Sequence, residues 1–243
     1  MTLTDQHWYA WHAPYDQLYS AETDRLEQVQ EAITACLDRA RPGPLRAVSA
    51  CSGQSRDLLP LLINHPRGHD VDALMIELDP LNASFLHGAL GSTALTRVEV
   101  RVADAGDAAS YAGRLPADLL LLCGVFANID LSAARRTIGR LDELVAPGGA
   151  VVWTTYGASI DEADDVLAAF EGARFWPSSL EWGADGSWLV AVHRFGGVPR
   201  PWSGEGTLFS FRSPATGERE APRGHLAAGT PARSARRGTP EHP

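Results

Sequence analysis

The sequence predicts a single α/β domain built on a mostly parallel β-sheet. From residue 45 onward, short apolar runs alternate with helix-like stretches, a pattern typical of strand–helix–strand units with parallel strands. The chain has 243 residues, of which 44% are hydrophobic. This is enough for one domain with a sizeable core and end segments, rather than for two domains.

The first predicted element is a helix over residues 21–40. Leu26, Val29, Ile33 and Leu37 recur at steps of three and four residues and form one apolar stripe. The sequence Pro-Gly-Pro at residues 42–44 then ends the helix.

Five apolar runs predict parallel strands, and the stretches between them predict helices. Asp79 before Pro80 is a candidate N-cap with proline at the first helical position. The strands are expected at residues 45–50, 73–76, 98–102, 119–122 and 150–154, and the helices at 57–63, 80–90, 107–113 and 131–145.

The end of the domain predicts an antiparallel edge. After a helix near residues 161–170, two strand-like runs at 175–181 and 187–195 flank Asp185-Gly186, a strong hairpin signal. We therefore expect seven strands, with an antiparallel pair at one edge. Residues 207–211 are a candidate for one more short strand.

Charge and cysteine content exclude several classes of partner. The net charge is −9, and without the basic tail from Ser213 it is −11, which disfavours contact with phosphate backbones. The three cysteines form no CxxC pair and predict neither a disulfide framework nor a metal site. No secretory pattern or membrane-length apolar run is found. We expect a cytoplasmic protein that acts on a small molecule, with no nucleic acid and no membrane partner.

Composition divides the chain into three parts. Residues 1–20 are rich in Trp, Tyr and His and predict an N-terminal lid segment, although these rings could instead pin the segment to the core. Residues 21–212 form the predicted domain. Residues 213–243 hold almost no large apolar side chain and are expected to be a disordered tail.

The first strand and turn carry a family resemblance. Residues 45–58 read LRAVSACSGQSRDL, which resembles the opening of the class I S-adenosylmethionine-dependent methyltransferases. Ser49 stands where that family has an acidic residue, Cys51 and Ser55 stand where it has glycines, and Gly53 keeps a glycine position. Small residues let the turn approach the methionine part of the cofactor. The alternative is an ordinary strand-to-helix turn.

The second strand adds an acidic end. Glu77 follows Gly53 by 24 residues, close to the spacing of about 20 in nucleotide-binding α/β folds. The resemblance implies that its carboxylate binds the ribose hydroxyls and that Leu78 packs on the adenine. The alternative for Glu77 is a helix cap, a role for which Asp79 is better placed.

The third and fourth strands supply further landmarks. By resemblance, Asp104 accepts the adenine amino group and the Ala105 N–H meets a ring nitrogen. Asp104 could also be a turn former, and Asp107 lies close by. Cys123 and Gly124, at the end of the fourth strand, are expected to face cofactor and acceptor.

The Pro-Gly-Gly turn at residues 147–149 precedes the fifth strand, as in the family. The resemblance covers roughly residues 45–195. It implies a Rossmann-like, doubly wound, mostly parallel seven-stranded sheet with an antiparallel edge strand and helices on both faces. Its seventh strand is reversed and inserted beside the fifth, and its cofactor, S-adenosyl-L-methionine, lies at the carboxyl ends of the strands.

Catalysis by such a protein is direct displacement, in which positioning supplies much of the rate. The sequence offers His12 as a candidate base, Tyr15 as a residue that could reach the cofactor, and Tyr156 as a lining residue of the acceptor pocket. A structural, hydrogen-bonded His12 is the alternative.

The predicted function is methyl transfer from S-adenosylmethionine to a small-molecule acceptor. A non-catalytic S-adenosylmethionine-binding or regulatory protein stays open. A nicotinamide-dependent oxidoreductase is disfavoured, because the turn lacks G-x-G-x-x-G and the chain has no lysine for a Tyr-x-x-x-Lys pair. The oligomeric state is left open, a homodimer being one possibility.

Overall fold

The structure, a computed structural model, describes residues 12, 15–17 and 20–212. Seven strands form one sheet: β1 (Leu45–Ala50), β2 (Val71–Glu77), β3 (Val98–Val102), β4 (Ala117–Leu122), β5 (Val145–Tyr156), β6 (Phe175–Trp182) and β7 (Trp188–Phe195). Their order is β3-β2-β1-β4-β5-β7-β6. Only β7 runs against the others in this sheet, and it lies between β5 and the edge strand β6. The predicted doubly wound sheet with a reversed strand beside the fifth is confirmed.

Helices cover both faces of this sheet. They are α1 (Ala21–Arg39), α2 (Leu59–Asn64), α3 (Pro80–Gly91), α4 (Leu131–Ile138) and α5 (Ala163–Gly172). The first three contribute to the hydrophobic cluster on one face, and the last two to the cluster on the other. Because β1, β2, β4 and β5 are buried on both sides, they appear in the sequence as nearly continuous apolar runs.

Local signals fix where the helices begin and where the last strands turn. The Ser20 side chain caps α1 by accepting from the Thr23 N–H, and Asp79 caps α3 by accepting from the Leu81 N–H. The turn between β6 and β7 contains Gly186 at φ +73°. The N-cap at Asp79 and the hairpin are confirmed.

Four predicted features differ from the structure. The Pro-Gly-Gly sequence at 147–149, expected as a turn before the fifth strand, lies within β5, which begins at Val145. The helix expected over 131–145 ends at Ile138 and is followed by Gly139 and a short 3-10 turn, Leu141–Glu143. The helix expected over 107–113 is a single 3-10 turn, Ala108–Tyr111. The strand proposed at 207–211 is wrong: only an isolated bridge from Asp107 to Thr207 forms, because the segment bonds to loops and not to a neighbouring strand.

Other expectations concern parts of the chain that the structure does not describe. The predicted lid, residues 1–20, is described only at residues 12, 15–17 and 20, and the predicted tail, 213–243, lies outside the described residues. Within the described part of the chain, no helix combines the length and apolar character that a bilayer crossing requires.

Candidate functional site

A cleft opens at the carboxyl ends of the parallel strands, where β1 and β4 lie side by side. This is the switch point of the sheet, since the chain moves from β1 outward to β3 and then returns to β4. The cleft consists of a larger cavity of about 150 Å³ and an adjoining smaller cavity of about 80 Å³. Five of the described residues line both cavities: His12, Cys51, Cys123, Gly124 and Tyr156.

Glu77, the last residue of β2, forms part of the wall of the larger cavity. Its side chain is 6% exposed. The carboxylate accepts the Gly53 N–H at 2.6 Å through Oε2 and the Asp79 N–H at 2.7 Å through Oε1. Burial raises the pKa of this carboxyl, and the backbone N–H donors oppose the shift. Each oxygen keeps further lone pairs for a ligand.

Asn82, in the first turn of α3, is a lining residue that the sequence reading missed. It is 1% exposed, and its side chain is hydrogen-bonded to Glu77. Its Oδ1 is buried and has no hydrogen-bond partner among the described residues. A buried acceptor of this kind is costly unless a ligand or water satisfies it. The carboxylate of Glu77 and Oδ1 of Asn82 are therefore two neighbouring hydrogen-bond acceptors in the wall of the cavity.

The loop after β3 forms the far end of the larger cavity. Asp104 and Ala105 both line it. Asp104 Oδ1 accepts the Gly106 N–H at 2.7 Å. Asp107 instead caps the following 3-10 turn by accepting from the Ala109 N–H. The two nearby acids thus differ in position, and Asp104 is the one in the cleft.

The chain after β7 returns to this end of the cleft, which the sequence reading did not anticipate. We call residues 206–212 the return segment. The Leu208 N–H donates to the Gly106 carbonyl at 2.7 Å. Phe209, 4% exposed, belongs to the core, and Phe209 and Phe211 both line the larger cavity.

Two thiols lie at the centre of the cleft. Cys51 follows β1 in a left-handed conformation with φ 55°, and Cys123 follows β4. Burial raises the pKa of both thiols well above the usual range; Glu77 adds to the shift at Cys51 and Asp57 at Cys123. At neutral pH both are therefore protonated thiols, and neither is poised as a nucleophile.

Arg25 of α1 provides a buried positive charge in the smaller cavity. It is 5% exposed, donates from Nη2 to the Tyr15 hydroxyl at 3.0 Å and lies 4.0 Å from the centre of the Tyr156 ring. No carboxylate of the described residues forms an ion pair with it. Asp57, whose carboxyl pKa is raised by burial, lines the same cavity. The cavity therefore presents groups of both charges.

Tyr156, at the end of β5, lies where the two cavities meet. Burial raises its pKa to about 12, and the nearby Arg25 opposes the shift. Asn128 Nδ2 donates to its hydroxyl at 3.4 Å and to the Gly124 carbonyl at 2.7 Å. The phenol is protonated at neutral pH, so it can donate a hydrogen bond but is not a base.

His12 lies directly over the turn after β1. Its Nε2 accepts the Gln54 N–H at 3.4 Å. A Cβ placed on Gly53, which has φ +55°, would lie 2.3 Å from that nitrogen. The positive φ and the nearby imidazole both favour glycine at this position.

The structure brings most of the predicted site residues to one cleft and leaves one aside. Ser49 is 2% exposed inside β1 and lines neither cavity. Tyr15 lines only the smaller cavity, and Leu78, 49% exposed, lies at the rim of the larger one. The remaining predicted residues line the larger cavity: His12, Cys51, Gly53, Glu77, Asp104, Ala105, Cys123, Gly124 and Tyr156.

Comparison with known proteins identifies the fold. No protein-family profile matches the sequence, and no curated protein matches it significantly. Among solved structures, an O-methyltransferase family protein from Burkholderia thailandensis is similar with TM-score 0.58 and 19% identity, covering 78% of this chain and 60% of that one.

Two further structures cover most of their own length. Magnesium protoporphyrin IX methyltransferase from Synechocystis, solved with bound S-adenosylmethionine, has TM-score 0.58 and 10% identity over 76% of this chain and 89% of that one. The N-methyltransferase NodS from Bradyrhizobium japonicum has TM-score 0.51 and 13% identity over 72% and 97%. The chain therefore has the Rossmann-like fold of the class I S-adenosylmethionine-dependent methyltransferases.

Proposed function

We propose that the protein binds S-adenosylmethionine in this cleft and transfers its methyl group to a small-molecule acceptor. The observation that carries the proposal is the buried carboxylate of Glu77, which accepts the N–H of Gly53 inside the cleft. It joins the glycine turn after β1 to the acidic end of β2, the two features that a cofactor with a ribose and an amino-acid part requires.

The residues present fit the cofactor in order along the cleft. Asp104 and the Ala105 N–H suit an adenine, and Leu78 offers an apolar contact to it. Glu77 and Asn82 Oδ1, which has no hydrogen-bond partner among the described residues, suit two ribose hydroxyls. These are the groups expected to hold the adenosine part.

The smaller cavity suits the amino-acid part. The buried guanidinium of Arg25 is a partner for its carboxylate, and Asp57 is a partner for its ammonium group. Both charges of the amino-acid part thus find opposite charges in the cavity.

When bound, S-adenosylmethionine supplies an activated methyl group on a sulfonium, so the protein needs mainly to orient the two reactants. Cys123, Gly124 and Tyr156 are expected to border the acceptor. Tyr156 can donate a hydrogen bond to the acceptor, and its raised pKa keeps that proton in place. His12, over the turn, is the candidate for receiving a proton from an acceptor that carries one, and its Nε2 must then release the Gln54 N–H.

The choice of a small-molecule acceptor is supported by charge. The net charge of −9 disfavours a nucleic-acid backbone. The similar structures include O- and N-methyltransferases, so the atom that receives the methyl group is not part of the proposal.

Calorimetry tests the cofactor assignment. We expect S-adenosylhomocysteine to bind with a stoichiometry of one and NAD to give no heat of binding. Binding of NAD in preference to S-adenosylhomocysteine would overturn the proposal. Radiolabelled methyl transfer to a panel of phenols, amines, thiols and carbon acids then tests the enzymatic step.

A second candidate, a non-catalytic S-adenosylmethionine-binding protein, is favoured by one observation. The thiols of Cys51 and Cys123 and the phenol of Tyr156 all have pKa values raised by burial, so none of the three can act as a base at neutral pH. Cofactor binding without methyl transfer across the panel would favour this candidate.

A further inference from the structure

The return segment is held against two loops of the cleft by its main chain. On one side, the Leu208 N–H donates to the Gly106 carbonyl at 2.7 Å and the Ala108 N–H to the Gly206 carbonyl at 3.0 Å. On the other, the Arg212 N–H donates to the Asn128 carbonyl at 2.9 Å. The segment thus bridges the loops that follow β3 and β4.

Side-chain contacts anchor the chain between β7 and the return segment. Arg200 forms an ion pair with Asp142 at 2.7 Å, and Arg140 donates to the Glu205 carbonyl at 3.2 Å. Trp202 packs against the core. The chain is therefore anchored at several points between β7 and the cleft. The return segment forms part of the wall of the cleft.

Gly106 makes the close approach possible. A Cβ on this residue would lie 2.2 Å from the Phe209 carbonyl oxygen and 3.0 Å from Asp104 Oδ1. The return segment therefore passes directly beside the loop whose Asp104 and Ala105 are assigned to the adenine. Only a residue without a side chain allows both to share this space.

The aromatic rings of the return segment line the larger cavity, as Asp104 does. Phe209 and Phe211 lie with ring centres 5.7 Å apart, and both line the larger cavity together with Leu78 and Asp104. Phe209 is fixed in the core at 4% exposure, whereas Phe211 is only partly buried and packs against that core. An aromatic side chain beside a hydrogen-bonding edge is a usual arrangement for binding a flat base.

We infer that the return segment completes a purine site, in which Phe211, supported by Phe209, contacts the adenine whose edge faces Asp104 and Ala105. This inference rests on the proposed function. It goes beyond it by assigning base recognition to a segment of the chain beyond β7, outside the stretch that resembles the methyltransferases. It also predicts that recognition of the base and of the amino-acid part can be separated.

Binding of two ligands distinguishes recognition of the base from recognition of the amino-acid part. S-adenosylhomocysteine carries both the adenosine and the amino-acid part, and methylthioadenosine carries only the adenosine. We expect Phe211→Ala to weaken both by the same factor, about tenfold or more, the range found when aromatic stacking on a base is removed. Phe211→Leu, which keeps an apolar side chain, should weaken both less. The control is Trp176→Ala, which removes an aromatic ring that is 55% exposed on β6 and should leave both dissociation constants unchanged.

A direct measurement on the unaltered protein guards against a folding defect in the variants. In the S-adenosylhomocysteine complex, nuclear Overhauser contacts should join the adenine H2 or H8 proton to the ring protons of Phe211, identified as the contacts that are absent from Phe211→Leu. Unchanged affinities in both Phe211 variants, or an adenine without contacts to the Phe211 ring, would overturn the purine site while the proposed function stands. If the unaltered protein binds neither ligand, the proposed function falls, and the purine site with it.

Discussion

The carboxylate of Glu77 accepts the backbone N–H of Gly53 at 2.6 Å, although the two residues are 24 positions apart in the chain. One side chain thus ties the turn after β1 to the end of β2. Because the same carboxylate lines the cleft, it both shapes the turn and presents lone pairs to a ligand. Its loss should therefore affect binding and stability together.

The first prediction concerns this carboxylate. Glu77→Ala should weaken the binding free energy of S-adenosylhomocysteine by about 1–3 kcal/mol, since it removes a charged hydrogen-bond partner. It should also lower the free energy of unfolding, because the Gly53 and Asp79 N–H groups lose their acceptor. The control is Asp79→Ala, which removes the α3 cap and should cost about 1 kcal/mol of stability without changing affinity. Calorimetry measures the dissociation constant, and urea unfolding measures the free energy of unfolding. An unchanged dissociation constant for Glu77→Ala would contradict the assignment of this carboxylate to the ribose.

Gly53 gives a second prediction. In Gly53→Ala, the new methyl group would meet His12 Nε2 at 2.3 Å, so the turn and the imidazole cannot both keep their positions. We expect at least about a tenfold loss of S-adenosylhomocysteine affinity, corresponding to about 1.4 kcal/mol. Gly43→Ala is the matched control, because Gly43 also has positive φ, +106°, but nothing lies within 4 Å of its Cβ position. That variant should lose stability only, and an equal loss of affinity in both would argue against a role for the turn.

The third prediction concerns the buried charge of Arg25. Arg25→Leu should weaken S-adenosylhomocysteine about 10- to 100-fold, the loss expected for a hydrogen bond to a charged group. Methylthioadenosine, which lacks the carboxylate, should bind as before. Arg56→Gln is the control, because Arg56 lines the same cavity but is already paired with Asp16 at 2.7 Å. If Arg25→Leu weakens both ligands equally, the guanidinium does not bind the carboxylate.

The sheet could be predicted from the sequence because its signals are local. Strands buried on both faces give apolar runs, and Asp79-Pro80 and Asp185-Gly186 mark a helix start and a hairpin by the chemistry of adjacent residues. The landmarks at Gly53 and Glu77 could be found because parallel strands bring their carboxyl ends to one edge, whatever the sequence between them.

The rest of the cleft depends on contacts that leave no local pattern. Phe211 reaches the cleft because residues 206–212 bond to loops about a hundred residues earlier in the chain, and no periodicity records this. Asn82 is one polar residue in the first turn of a helix. Arg25 did carry a signal, since it lies four residues before Val29 on the buried stripe of α1. A charged side chain in a buried stripe is a candidate binding residue.

The last prediction follows from His193, which is fully buried in β7. Its Nδ1 accepts the Trp153 indole N–H at 3.0 Å, and its ring stacks on Phe170 with centres 4.4 Å apart. Burial lowers its pKa from 6.5 to about 4. Above pH 6.5 the ring is neutral in both the folded and the unfolded chain. Below pH 6.5 the unfolded chain takes up a proton that the folded chain does not, so stability falls as the pH falls from 6.5 toward 4.

His193→Gln should remove this dependence while keeping an acceptor for the indole. Between pH 7 and pH 5, the free energy of unfolding of the unaltered protein should fall by about 2 kcal/mol more than that of the variant. His69→Gln is the control, because that side chain is 78% exposed and its removal should leave the slope unchanged. Urea unfolding at the two pH values measures each difference. Parallel pH profiles for the unaltered protein and His193→Gln would mean that the His193 ring takes up its proton in the folded core as readily as in the unfolded chain.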